Sequence, residues 1–74
     1  MFDRITFDPS IMGGRACIRG MRIPFSIVVE RVAHEATVED LRAEYPDLER
    51  EDISQALEYA AWLAREEIHQ VVDL

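Results

Sequence analysis

The spacing of hydrophobic positions changes near residue 23 and divides the chain into two parts. Before that point the apolar residues form two short runs, Ile5-Thr6-Phe7 and Ala16-Cys17-Ile18, separated by Asp8-Pro9-Ser10 and the pair Gly13-Gly14. Short runs bounded by Gly and Pro are typical of strands, and a Gly-Gly pair supplies the positive φ angles of a tight reversal. Residues 1–23 are therefore predicted to form a short, irregular β-hairpin, the hairpin arm.

From Pro24 onwards the spacing becomes helical. Pro24 suits the first position of a helix, because its missing N–H would lack an intrahelical partner there anyway. Apolar residues at i, i+3 and i+4 spacing predict that this first helix runs to about Ala33. They are Phe25, Val28, Val29 and Val32.

A second, short helix is predicted between Thr37 and Pro46. Thr37-Val38-Glu39-Asp40 matches a capping box, in which the Thr37 hydroxyl accepts from the Asp40 N–H and the Asp40 carboxylate reaches back. Leu41 is predicted to face inward. The helix is expected to stop before Pro46, since proline cannot continue a helix.

The third and longest helix is predicted from Leu48 to about Ile68, with acidic residues near its start, where the helix dipole favours them. A helical wheel places one set of residues toward the core: Ile53, Ala56, Leu57, Ala60, Leu63, Ala64, Ile68 and Val71. The opposite face holds Gln55, Glu58, Trp62, Glu66 and His69, with Tyr59 beside them. Tyr59 and Trp62 are thus predicted to lie away from the core; the alternative for Trp62 is packing beneath the hairpin or in a homodimer.

Three helices joined by short turns behind a hairpin predict a mainly α fold. The expected architecture is a three-helix bundle of the helix-turn-helix type over residues 24–74, with a short C-terminal tail, preceded by the hairpin arm in a single domain of residues 1–74. A chain of this size buries only about 60% of the surface that its unfolded form exposes. A homodimer or a permanent protein partner is therefore expected.

Charge is distributed unevenly along the chain, whose formal net charge is -7. Residues 1–29 hold four arginines against two aspartates, whereas residues 30–74 hold thirteen acids against four arginines. All the basic residues are Arg, whose planar fork pairs bidentately with carboxylate or phosphate. Arg15, Arg19 and Arg22 are therefore candidates for a cationic cluster on the hairpin arm; the alternative is scattered surface charges that contribute little.

Few residues offer catalytic or metal-binding chemistry. His34, His69 and Cys17 share none of the short spacings of zinc sites, and the acids at 49–52 lack the pattern of a calcium loop. The Gly13-Gly14-Arg15 turn matches neither phosphate-binding glycine motif. We therefore expect no enzyme activity, and no catalytic, cofactor, metal or small-molecule substrate site.

The chain is expected to be cytoplasmic. It contains no apolar stretch of the roughly 18 residues that a membrane span needs, and residues 1–4 lack the pattern of a signal peptide. A single cysteine, Cys17, agrees with a reducing compartment. No membrane association is predicted.

The stretch from Met12 to Phe25, MGGRACIRGMRIPF, resembles a small bacterial family known as a domain of unknown function, DUF433. The family pattern is roughly G-G-[KR]-P-x-I-x-G-T-R-I-P-V. Its later motifs correspond here to Thr37-Val38-Glu39-Asp40, Tyr45-Pro46-Asp47-Leu48 and Glu51-Asp52-Ile53. The resemblance spans residues 5–60. The chain departs from the pattern at Ala16, Met21, Glu35 and Glu49.

The resemblance implies a three-helix, homeodomain-like or winged-helix bundle and, for many members, the role of antitoxin beside a PIN-like ribonuclease toxin. In that role an arginine would take the place of a metal cation among the toxin's carboxylates. The candidates are Arg15, Arg19 and Arg22, then Arg65, with Tyr59 and Trp62 as aromatic anchors at the interface. The alternative is a dimeric helix-turn-helix regulator that binds DNA, although the acidic helices disfavour contact with phosphates.

The departures at Glu35 and Glu49 lead to two local expectations. Gly is favoured where a helix ends in the left-handed conformation, so Glu35 is expected to weaken such an ending of the first helix. Glu49 replaces a Thr that often caps the third helix, so a weaker cap is expected there.

Overall fold

The computed structural model describes the backbone of residues 2–72 and the side chains of residues 2–65. Strands β1 (Ile5–Thr6) and β2 (Cys17–Ile18) form an antiparallel hairpin in which Ile5 pairs with Ile18 and Thr6 with Cys17. Three helices follow: α1 (Phe25–Ala33), α2 (Val38–Glu44) and α3 (Arg50–Val72). The predicted mainly α fold with an N-terminal hairpin is confirmed. The strands are shorter than predicted, and α3 begins later and ends later. Pro24, predicted as the first residue of α1, is instead its N-cap with an extended ψ of 141°, so α1 begins one residue later.

The reversal between the strands uses the backbone freedom expected of the glycine pair. Gly13 and Gly14 have φ angles of 68° and 85°, and Met12 before them has a φ of 50°. β2 then pairs on its other side with the entry to α1, where the Ile18 N–H donates to Ile23 O at 2.9 Å. The Phe25 N–H donates to Ala16 O at 3.0 Å. Both edges of β2 are therefore hydrogen-bonded.

Local hydrogen bonds form the junction between α1 and α2. Glu35 adopts a φ of 68°, and the N–H groups of Glu35 and Ala36 donate to Val32 O and Arg31 O, which is the Schellman arrangement. A left-handed helix ending therefore forms despite the absence of glycine. The predicted capping box is also confirmed, because the Asp40 N–H donates to the Thr37 hydroxyl at 3.1 Å and the Thr37 N–H to Asp40 Oδ2 at 2.9 Å.

The hydrophobic core lies where the hairpin meets the three helices. Each element contributes at least one fully or nearly buried side chain. They are Ile5, Cys17 and Ile18 from the hairpin, Val28 from α1, Leu41 from α2, Leu48 before α3, and Ile53 and Ala56 from α3. The inward position predicted for Leu41 is confirmed. The hairpin is therefore part of the core as well as a surface element.

The predicted core face of α3 is partly wrong. Ile53 and Ala56 are buried, but Leu57 is 36% exposed and Ala64 is also exposed. Tyr59, expected away from the core, packs against it. The buried side of α3 includes Asp52 as well as Ile53 and Ala56, because the Asp52 carboxylate pairs with Arg4 and Arg19 of the hairpin arm.

The predictions for the outer face of α3 agree with the structure only in part. Trp62 is half-buried, as is Gln55, while Glu58 is exposed as expected. The predictions for the side chains of Glu66, Ile68, His69 and Val71 lie outside the described residues. Within residues 2–72, none of the helices combines the length and the apolar composition that crossing a bilayer requires.

Candidate partner-binding surface

A tight turn after β2 sets the direction of Arg19. Arg19 and Gly20 have φ angles of 44° and 70°, and the Met21 N–H donates to Ile18 O at 2.8 Å. Two consecutive positive φ angles with this bond are typical of a type I′ turn, which rarely holds a residue like arginine. The Gly20 N–H also donates to the Thr6 hydroxyl at 2.8 Å. This strained turn presents the Arg19 side chain to the start of α3.

Arg19 and Arg4 converge on the buried carboxylate of Asp52. Arg19 donates from Nε and Nη2 to the two oxygens of Asp52, at 2.9 Å each for the shorter contacts, and from Nη2 to Asp47 O at 2.7 Å. Arg4 donates from Nη1 to Asp52 Oδ1 at 2.8 Å and to Glu49 Oε1 at 2.7 Å. We call Arg4, Arg19 and Asp52 the charge hub; it joins both hairpin strands to α3.

Asp52 remains charged although its side chain is fully buried. Burial disfavours the charged carboxylate, but the bonds from Arg19, from the Glu49 N–H and from Arg4 outweigh it and hold the pKa of Asp52 below its ordinary value. The Glu49 N–H donates to Asp52 Oδ2 at 2.8 Å, so Asp52 also caps the start of α3 from within. Asp52 thus satisfies the Glu49 N–H, while the Glu49 carboxylate accepts from Arg4.

Neither Arg4 nor Asp52 is among the site residues predicted from the sequence. In the sequence Asp52 is one of several acids at a helix start, and Arg4 only adds to the charge of the hairpin arm. The spacing of four residues between Asp52 and Ala56 puts both on the same side of the helix, and this is the signal in the sequence that Asp52 is buried. An acid on a buried face requires a cationic partner.

The three candidate arginines do not form one cluster. The pairing of Cys17 with Pro24 puts Arg22 near Arg19 at the turn and Arg15 at the other end of β2. Arg19 is engaged in the charge hub, whereas Arg15 and Arg22 are exposed, and neither forms an ion pair with a described side chain. Arg15 and Arg22 are therefore two separate guanidinium groups that face solvent.

Tyr59 and Trp62 belong to an aromatic cluster that joins the hairpin arm, α1 and α3. Tyr59 lies at the centre, with ring centroids 5.2 Å from Phe2, 4.9 Å from Phe25 and 6.4 Å from Phe7. Trp62 lies 5.9 Å from Phe2 and 6.0 Å from Tyr59. Of the two alternatives for Trp62, packing beneath the hairpin and packing in a homodimer, the contact with Phe2 of the hairpin arm agrees with the first. Phe7 is 58% exposed, so the cluster also reaches the surface.

Two open clefts lie on either side of the middle of α3. One, of about 340 Å³, separates α3 from α1 and is lined by Phe25, Ser26, Val29, Glu30, Ala60, Leu63 and Ala64. The other, of about 280 Å³, is lined by Phe2, Glu58, Ala61, Trp62 and Arg65. Within the described part of the chain, no group of three or more His, Cys, Asp or Glu residues is placed to hold a metal ion.

These features define a small three-helix domain with an N-terminal β-hairpin that is fixed to the last helix by a buried charge. The chain belongs to the family described as "Protein of unknown function (DUF433)", whose model matches residues 5–60. A solved structure of a DUF433 member protein from Anabaena variabilis ATCC 29413 is 31% identical and superposes with a TM-score of 0.75. That similarity covers 95% of this chain and 69% of the other. No curated protein matches this sequence.

Proposed function

We propose that this chain is an antitoxin-like protein that binds a PIN-like ribonuclease and blocks its active site with an arginine of the hairpin arm. The observation that supports the proposal is the pair of exposed arginines, Arg15 and Arg22, on a chain that is acidic elsewhere. A metal-dependent nuclease gathers carboxylates around its metal ions, and a guanidinium group pairs bidentately with a carboxylate. We propose no catalytic role for the chain itself.

The backbone on which these arginines stand is held in place before any partner arrives. Arg15 directly precedes Ala16, which accepts from the Phe25 N–H, and Arg22 directly precedes Ile23, which accepts from the Ile18 N–H. An arginine on a fixed backbone loses less conformational entropy on binding than one on a mobile loop. Arg19 is less suited, because contact with a partner would have to break its bonds to Asp52.

The aromatic cluster supports a protein partner. Phe7 is largely exposed and contacts Tyr59, and Trp62 is half-buried beside Phe2. Tyr and Trp are enriched among the residues that dominate binding energy at protein interfaces. We propose that this surface contacts the toxin beside the arginine, and that the complex acts in the cytoplasm, where the ribonuclease would meet RNA.

The test is co-expression with a PIN-like ribonuclease encoded by the neighbouring gene. We expect the two chains to co-purify and the complex to cleave RNA more slowly than the free nuclease. Arg15→Glu or Arg22→Glu should weaken binding by at least about tenfold, since charge reversal opposes the toxin's carboxylates. Arg50→Glu is the matched control, because Arg50 is exposed, lies outside the hairpin arm and has its guanidinium group toward Glu39 of α2. Failure to co-purify, or equal loss in the control, contradicts the proposal.

Binding of DNA as a dimeric regulator is the alternative. Helix α2 and the start of α3 carry exposed carboxylates, which would repel phosphates, so DNA contact would depend on the hairpin arginines. They are Glu39 and Glu44 in α2, Glu49 just before α3 and Glu51 in α3. Titration of the isolated chain with its upstream DNA at two salt concentrations separates the two roles. Tight and steeply salt-dependent binding would favour the regulator; weak binding would favour the antitoxin alone.

A further inference from the structure

The outer face of α3 carries an apolar ridge that the rest of the fold leaves uncovered. Leu57, Ala61 and Ala64 are all exposed, and they are spaced by four and then three residues. In the sequence the same spacing continues at Ile68 and Val71. Alternating steps of four and three are the a and d positions of a heptad repeat, the pattern with which one helix packs along another.

The shape of the surface around this ridge suits a second helix. The cleft of about 340 Å³ reaches the ridge at Ala64, and the cleft of about 280 Å³ reaches it from the other side at Ala61. A ridge bordered by two grooves is the surface that interdigitates with the ridges and grooves of a partner helix. The small side chains at positions 61 and 64 allow the two backbones to approach closely.

The charges beside the ridge indicate that the helix packing on it is α3 of a second copy of this chain. Glu58 and Arg65 flank the same side of the ridge, and both line the cleft at Ala61. In an antiparallel pair of α3 helices with a two-fold axis between positions 61 and 64, Ala61 of one copy lies beside Ala64 of the other. That register brings Glu58 of each copy close to Arg65 of its partner, so the surface is complementary to itself.

We propose that two copies of the chain form an antiparallel dimer through this face of α3, with Leu57, Ala61 and Ala64 at its centre and Glu58–Arg65 pairs at its edge. This surface is distinct from the exposed arginines Arg15 and Arg22, and its edge borders the cleft that Phe2 and Trp62 line. The dimer does not depend on the proposed antitoxin role and would present two hairpin arms.

The experiment measures the association of the full chain by sedimentation equilibrium. We expect the wild type to dimerise and Ala64→Glu to raise the dissociation constant at least about tenfold, because it buries an unpaired charge at the centre. Ala43→Glu, at an exposed position of α2, is the matched control and should leave association unchanged. Circular dichroism of each variant verifies that the exposed substitutions leave the fold intact.

Charge exchange tests the antiparallel arrangement. Glu58→Arg and Arg65→Glu should each weaken the dimer, because each places like charges together, and the double variant should restore wild-type association. A parallel pair would place identical residues opposite one another, so the double variant would show no restoration. The proposal is overturned by a wild type that stays monomeric up to about 1 mM. A dimer insensitive to these substitutions, or one that the double variant does not restore, also overturns it.

Discussion

Two junctions hold this small fold together, and they differ in construction. The α1–α2 junction is local: the Schellman ending at Glu35 and the capping box of Thr37 and Asp40 lie within ten residues of the chain. The hairpin–α3 junction is long-range, because Asp52 bonds to Arg19 and Arg4 across 33 and 48 positions of the sequence. The first satisfies backbone groups at helix ends, whereas the second satisfies a buried charge.

This difference determines how much stability the protein loses when each junction is broken. A helix cap competes with water that solvates the same exposed groups, so its net contribution is about 1 kcal/mol. A buried carboxylate has no such substitute, and breaking its pairing is therefore far more costly than losing a cap. We expect substitutions in the charge hub to destabilise the protein more than substitutions in the local junction.

The largest effect is expected from Asp52→Ala. It removes the partner of both Arg4 and Arg19 together with the bond to the Glu49 N–H, and should lower the free energy of unfolding by about 3 kcal/mol. Urea denaturation monitored by circular dichroism measures it. Glu51→Ala is the control, since Glu51 lies in the same turn but is exposed. Equal losses in the two variants would show that the hub contributes nothing beyond the helix dipole.

The second-largest effect is expected from acid, which should lower the stability that the hairpin–α3 junction contributes. The pKa of Asp52 is below its ordinary value of 3.8, so its contribution to stability is complete above that value and is lost as the pH falls through the lower, folded-state pKa. The pKa of Glu49 is lowered in the same direction, chiefly by the bond from Arg4. Asp52→Asn should flatten this acid limb, measured as the melting temperature against pH. An unchanged limb would contradict the assignment.

A smaller effect is expected at the local junction from Thr37→Ala. The Asp40 N–H would lose its acceptor, which should lower the free energy of unfolding by about 1 kcal/mol. Thr37→Ser keeps the hydroxyl and should differ little from the wild type. Thermal denaturation of the three proteins side by side makes the comparison. A loss as large as that of Asp52→Ala would remove the distinction between the junctions.

The smallest effect, and the only gain, is expected from Glu35→Gly. Glu35 holds a φ of 68°, which glycine adopts without steric cost, so stability should rise by about 0.5 kcal/mol after the greater freedom of the unfolded chain is deducted. Glu35→Ala keeps a Cβ at the same angle and serves as the control. A gain in the alanine variant equal to that of glycine would trace the effect to the lost charge.

The local features of the fold were predictable from the sequence. The Gly13-Gly14 reversal, the end of α1 at Ala33 and the Thr37 capping box each depend on residues close together, and all three are confirmed. The orientation of α3 was predicted only in part, because periodicity identifies an apolar side but not which neighbour covers it. The prediction therefore fails at Leu57, which is exposed, and at Tyr59, which packs against the core.

The candidate partner-binding surface was also predictable only in part. Arg15 and Arg22 were named from the charge of the hairpin arm, and both are exposed. The engagement of Arg19 by Asp52 was not predicted, because it depends on how the hairpin docks on α3. A single sequence shows which residues carry charge, but pairing across 33 positions emerges only when the tertiary structure is known.

The sequence separation within the charge hub also has a consequence for the order of folding. The contacts around Glu35 and Thr37 close short segments, so little chain entropy is lost when they form, whereas the contacts of Asp52 with Arg19 and Arg4 close much longer loops. The hairpin arm is therefore expected to dock late, after the helices have nucleated. Its reopening would expose Ile5 and Ile18 while the α1–α2 junction stays formed, which makes the arm the unit of partial unfolding in the native protein.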